Sequence, residues 1–286
     1  RAVPRWIAAK PKGLSVRDYY SRLVGNRNYE RVLGPMLSAV PSQSADEFPS
    51  DMLFKKRERR EDRPRSFSVE RGLNSVVEGL VAHPNIDVRT DCAAVKVERT
   101  SQGFGVEFSD GTSIEAERLA LALAPQVVAE LLSDSFPEVA AQAARVKQVE
   151  VDSLGFATLA ENTKLPYATF FIPLCDSFFS AVTRDVIHDD TRRAFTLHFR
   201  AGQTKAERLA RAQQVTGVPI AQMESLCERR VVLPSPTLGH SEIVRAIDDQ
   251  LKGEPLAITG NWFSGLAIED CALRSRCEFE RMSALG

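Results

Sequence analysis

No run of apolar residues in this sequence approaches the roughly 20 that a membrane-crossing helix needs. The longest one clear of proline is Leu119–Ala124. A membrane-spanning helix is thereby excluded, whereas a short amphipathic helix lying on a bilayer is not, so peripheral membrane contact stays open. Charge of one sign is lacking too: 37 basic against 38 acidic residues leave a formal net charge of −1. Nothing global draws the chain to nucleic acid, and the run Lys55, Lys56, Arg57, Glu58, Arg59, Arg60 reads as a solvated loop. The five cysteines, Cys92, Cys175, Cys227, Cys271 and Cys277, form no C-x-x-C pair. Their odd count argues against a disulfide framework and for a reducing, cytoplasmic setting. Nowhere does a strand run through GxGxxG into a helix; Gly103-Phe104-Gly105 lacks the third glycine and falls in a hairpin pattern, so the usual pyrophosphate cradle is missing. His188, Asp189 and Asp190 share a polar turn without a matching ligand set, and no metal site is assigned.

What is present is a globular composition, 43% apolar and 26% charged, enough for one large core or two modest ones. Ser15 and Asp18 can cap a helix whose stripe is Tyr19, Tyr20, Leu23 and Val24. A second helix should carry Tyr29, Val32, Leu33, Met36 and Leu37 and stop at Pro41, and a third should begin at Ser44 with Phe48, Met52 and Leu53 inward. Phe67–Leu80 reads as a turn through Gly72 and a helix with Leu73, Val76, Val77 and Leu80 on one face. A short strand over Ile86–Thr90 leads to alternation at Val95 and Val97, again at Phe104, Val106 and Phe108, and, after the hairpin signal Asp110-Gly111, at Ile114 and Ala116. That is a three-stranded meander. The run Leu119–Ala124 after it suits a strand covered on both faces.

Strand patterns then follow around Val149–Phe156, Tyr167–Ile172, Phe178–Thr183 and Phe195–Phe199, which predicts an antiparallel sheet. Its Phe170, Phe171, Phe178 and Phe179 are candidates to line a cavity for a large flat apolar substrate, or else are core. Thr204–Val215 is an amphipathic helix with Leu209 and Ala212 inward, Arg229–Leu233 is a strand, and Pro234-Ser235-Pro236-Thr237-Leu238-Gly239-His240 opens a helix through Ile243, Val244, Ile247 and Leu251. His240, at that helix start, is read as structural.

The most informative stretch is Leu256–Met282: a short apolar strand, Gly260, the break Ser264-Gly265, then apolar residues at helical spacing, Ile268, Ala272 and Phe279. A helix opening at Ile268 presents N–H groups that suit an electron-rich ligand edge. Gly260, Ser264, Gly265, Ile268 and Glu269 resemble the C-terminal flavin-contact motif of the flavin-dependent amine oxidase superfamily. The helical opening (residues 15–53) resembles the substrate domain of its protoporphyrinogen oxidase-like branch, and the Pro234–His240 element is similar to one in the bacterial enzymes. Asn261 stands where the family has an acid, Asp270 and Arg276 where it often has glycine, and Arg71 replaces the first glycine of an FxxGG segment.

The resemblance implies an α+β fold: a substrate domain with an antiparallel or mixed sheet and helices, plus the later segments of a Rossmann-like FAD domain. The expected division is 1–66 (helical part of the substrate domain), 67–130 (FAD-domain segment with the meander), 131–255 (substrate-domain sheet and helices) and 256–286 (last FAD-domain strand and helix). It assigns cofactor contacts to Ala94, by its main chain, and to Gly260, Asn261, Trp262, Gly265, Ala267, Ile268 and Glu269, and implies removal of hydride from a large apolar substrate. No catalytic residue is assigned, since a flavin carries the chemistry. With Arg rather than Met at position 1 and no GxGxxG, the dinucleotide-binding half is expected upstream or on a separate chain. Alternatives are an amine oxidase- or carotenoid desaturase-like enzyme, and a flavin-free binding or scaffold module.

Overall fold

The computed structural model describes residues 13–53, 61–64, 69–167, 170–185 and 187–285. The basic run at 55–60 and the turn residue Phe67 lie outside them. The fold is α+β, with three apolar clusters, two of which gather segments far apart in sequence.

The first cluster is helical. Helix α1 (Val16–Val24) is capped by Ser15, whose hydroxyl accepts from the Asp18 N–H. Next come α2 (Asn26–Asn28), a π-helical turn (Tyr29–Leu33) and α3 (Gly34–Ala39). Tyr29 and Leu37 point inward, while Val32 and Met36 are about half exposed. The expected third helix at Ser44 does not form. Pro49 disfavours helical geometry at Phe48, and the Phe48 carbonyl instead accepts from Val16 N–H (2.7 Å), which seats Phe48 in this cluster.

The second cluster lies beneath the meander β1 (Ala94–Thr100), β2 (Gly103–Phe108), β3 (Ser113–Ala116). Strand β4 (Leu119–Leu121) pairs in parallel with a strand from the far end of the chain, Leu256–Ile258. Helices α5 (Pro125–Leu131) and α6 (Pro137–Ala144) pack here too. Val128–Val146 and Ile243–Leu251 thus join the meander's core, although the expected division put those from residue 131 onward with the substrate sheet. Only one face of β4 is covered: Leu121 is inside, whereas Ala120 is exposed.

The third cluster fills one face of a five-stranded antiparallel sheet ordered β6-β7-β8-β5-β9, from β5 (Gln148–Leu159), β6 (Phe170–Phe171), β7 (Phe178–Thr183), β8 (Arg192–Arg200) and β9 (Glu224–Pro234). The register Leu154↔Leu197 and Phe156↔Phe195 lines up side chains that α7 (Lys205–Thr216) covers with Ala212. Thr204 and Glu207 close a reciprocal capping box at its start. Because side chains alternate, Ser153 and His198, opposite each other in the same register, fall on the other face.

Three elements leave apolar surface uncovered. Helix α4 (Asn74–Val81) forms as expected, yet Leu73, Val76, Val77 and Leu80 are each more than half exposed. Ile86–Thr90 makes no ladder among the described residues. The last helix turns its expected stripe outward, with Ile268 76% and Phe279 67% exposed. No helix among the described residues is long and apolar enough to cross a membrane.

Candidate functional site

Helix α8 (His240–Gln250), strand β10 (Leu256–Ile258) and helix α9 (Ile268–Ser283) frame the glycine-rich turn. Gly260 has φ +143°, open in practice only to glycine. Trp262 is fully buried and donates its indole N–H to the Leu123 carbonyl (3.0 Å). The Trp262 carbonyl in turn bonds His240 Nε2. The indole N–H and the carbonyl of Trp262 are thus used internally and anchor the turn. Gly265 leaves room for the Asp270 carboxylate, which a Cβ there would meet at 2.3 Å, and Asp270 accepts from the Ala267 N–H (3.4 Å).

The structure brings Asn261, Gly265 and Ala267 to the walls of two neighbouring cavities. One, of about 320 Å³, is lined by Phe48, Met52, Pro236, Gly265 and Ala267 among others. The second, of about 360 Å³, is walled by Asn261, the 40–43 turn and the open face of the five-stranded sheet. Val40, Pro41 and Leu266 border both. Ile268 and Glu269, exposed at the helix start, border neither, and Ala94 lies half-buried against the Trp262 cluster. Gly260 thus leaves room for the Trp262 ring and Gly265 for the Asp270 carboxylate, and the diphosphate has no glycine cradle in this sequence.

The aromatic candidates are placed elsewhere. Phe178 packs against Phe199 in the core beneath α7, with Phe171 beside them, and Phe179 lies buried under the Arg200 guanidinium. Phe170 sits half exposed on the edge strand. Wall residues that sequence reasoning missed are Gln43, Ser153 and His198. Ser153 Oγ and His198 Nδ1 are 3.0 Å apart across the β5–β8 pair. The only available signal was a polar residue on each strand at a position that alternation puts opposite the phenylalanines.

Burial pushes the His198 imidazole below its ordinary pKa, with Arg184 adding to the effect. Desolvation does the same to His240, partly offset by its bond to Trp262. A base with a lowered folded pKa takes up protons more readily when unfolded. Its stabilisation is therefore present above the unfolded value near 6.5 and lost as pH falls through it. His198→Gln will flatten the fall in stability as pH drops below about 6.5, by at most one proton's worth, about 1.4 kcal/mol per pH unit, measured as urea unfolding at each pH. An unchanged slope would mean that His198 is not neutral and buried. The Asp152 carboxyl, held low by Arg230, acts only below about pH 4.

The family model for flavin containing amine oxidoreductases matches residues 18–158. No curated protein matches the sequence significantly. Among solved structures, the chain is similar to a protein assigned as a protoporphyrinogen oxidase from Exiguobacterium sp. 255-15, at TM-score 0.69 and 15% identity over 97% of this chain and 71% of that one. It is also similar to a reduced UDP-galactopyranose mutase, at 0.67 and 10% over 91% and 66%, and to a fatty acid isomerase from P. acnes that produces CLA, at 0.62 and 12% over 92% and 66%.

Proposed function

We propose that this chain, whose residues 18–158 match the model for flavin containing amine oxidoreductases, belongs to that family and forms the substrate-binding part and cofactor-facing turn of an FAD-dependent oxidoreductase resembling the protoporphyrinogen oxidase-like branch. Its dinucleotide-binding half would be supplied by sequence beyond that given or by another chain. One observation carries this two-part reading: apolar side chains left uncovered on α4 and on α9, together with a parallel sheet of only two strands among the described residues. Burying a large aliphatic side chain gains on the order of 1.5 to 3 kcal/mol, so leaving Leu73, Val76, Val77, Leu80 and Phe279 in water forfeits a large term. A βαβ unit fits such a face, because parallel strands are normally covered by helices on both sides.

Gly260, Asn261, Ala267 and the Ile268 end of α9 would hold the flavin, with Ala94 contributing main chain. Bound FAD supplies a two-electron acceptor for hydride leaving a substrate carbon. The chain's own part is to position that carbon in the cavities beside Asn261 and to keep water away with Val40, Pro41 and Leu266.

Titration of the purified chain with FAD, followed by flavin fluorescence, will show weak binding. Adding the βαβ half will bring the affinity to stoichiometric uptake at micromolar concentration. Stoichiometric uptake by the chain alone would sink the two-part reading; no uptake with the half present would favour a flavin-free module.

A further inference from the structure

We infer that the 360 Å³ cavity is a polar subsite for the N–H- or O–H-bearing end of a mostly apolar ring compound, held at Gln43 Oε1 and flanked by the Ser153–His198 pair. The inference deepens the reading above and rests on it, since Asn261 of the cofactor-facing turn shares the same wall.

Gln43 is 1% exposed. Its Nε2 donates to the Pro234 carbonyl (2.9 Å), which fixes the orientation of the amide and leaves Oε1 as the other atom. That oxygen is buried and has no hydrogen-bond partner among the described residues. An unmet buried acceptor is costly, and this one belongs to a residue on a cavity wall. The backbone just before it is strained as well: Ser42, also on the wall, holds φ +55°, a conformation that persists where the surroundings enforce it and that gathers at ligand sites. Around these groups the wall is Val151, Val231, Leu233 and Leu266. A ligand here must therefore be apolar over most of its surface and present a donor to Gln43. The Ser153 hydroxyl and neutral His198 offer a contact of either sense.

The test compares indole with indene, which has nearly the same shape and no N–H, by calorimetric titration of the full chain. Indole will bind about tenfold more tightly. Gln43→Leu will reduce that preference to within twofold. Gln43→Glu, whose burial favours the neutral carboxyl, keeps when protonated both a donor for Pro234 and an acceptor, and will then retain the preference. A wild-type preference under twofold, or a tenfold preference surviving in Gln43→Leu, overturns the inference. Should Gln43→Leu fail to fold by thermal melting, the Gln43 side-chain carbonyl carbon signal decides: indole must move it and indene must not, and a signal indifferent to indole also overturns the inference. None of these outcomes alters the FAD titration. Conversely, a chain that shows the indole preference but never takes up flavin with the βαβ half keeps the subsite and loses the flavin function.

Discussion

Gly260→Ala will destabilise the chain by about 3 kcal/mol, combining backbone strain and overpacking. At φ +143° the backbone lies outside the left-handed helical region that other residues visit, and the new Cβ would meet the Trp262 ring at 3.2 Å. That ring cannot retreat, since it is fully buried and tethered to the Leu123 carbonyl. The control is Gly217→Ala, at the end of α7, where φ is +73° and nothing lies within 4 Å of the added methyl; left-handed strain alone costs about 1 to 2 kcal/mol. Urea unfolding of both variants measures the difference. Equal costs would show that the turn gives way, and that it is too soft to hold a cofactor edge in place.

The second large effect belongs to Arg274. Its guanidinium, whose side chain is 9% exposed, lies 4.0 Å over the Phe263 ring and donates to the Ile258 carbonyl (3.1 Å). It also stands 2.8 Å from Asp248 and 3.2 Å from the buried Glu278. Arg274→Met keeps the length of the side chain and removes the charge, so it unties α9 from β10 and α8 and takes from Asp248 and Glu278 the cation they share. The expected loss is about 3 kcal/mol, the lower end for breaking a buried ionic contact, because Arg281 still holds Glu278 (2.8 Å). Arg276→Met, two residues on, removes an exposed pair with Glu280 and will cost under about 0.5 kcal/mol. If the two variants unfold at the same urea concentration, the inward ionic stripe contributes nothing and α9 is held by other means.

That stripe also shows why part of the site escaped a reading of sequence. Apolar spacing at Ile268, Ala272 and Phe279 correctly announced a helix, but periodicity names a face without saying what the face meets. Here Asp270, Arg274, Glu278 and Arg281 turn inward, because Arg281 supplies donors to the Leu251 and Glu254 carbonyls at the end of α8 (2.7 and 2.8 Å) and Arg274 serves β10. The apolar side is left exposed. The same holds for α4, whose stripe was legible and is uncovered among the described residues.

The sequence by itself determined the local elements: the Ser15 cap, the meander with its Asp110-Gly111 turn, the sheet strands, and the glycines that mark the turn before α9. These follow from short-range chemistry, which a reader of neighbouring residues can see. Only the tertiary structure decided which faces are inside. The β5–β8 register put Phe156 and Phe195 under α7 and, by alternation, Ser153 and His198 on the cavity side. Gln43 and Asn261 reach that cavity from opposite ends of the chain, and no local pattern encodes a meeting that the packing of three separate cores brings about.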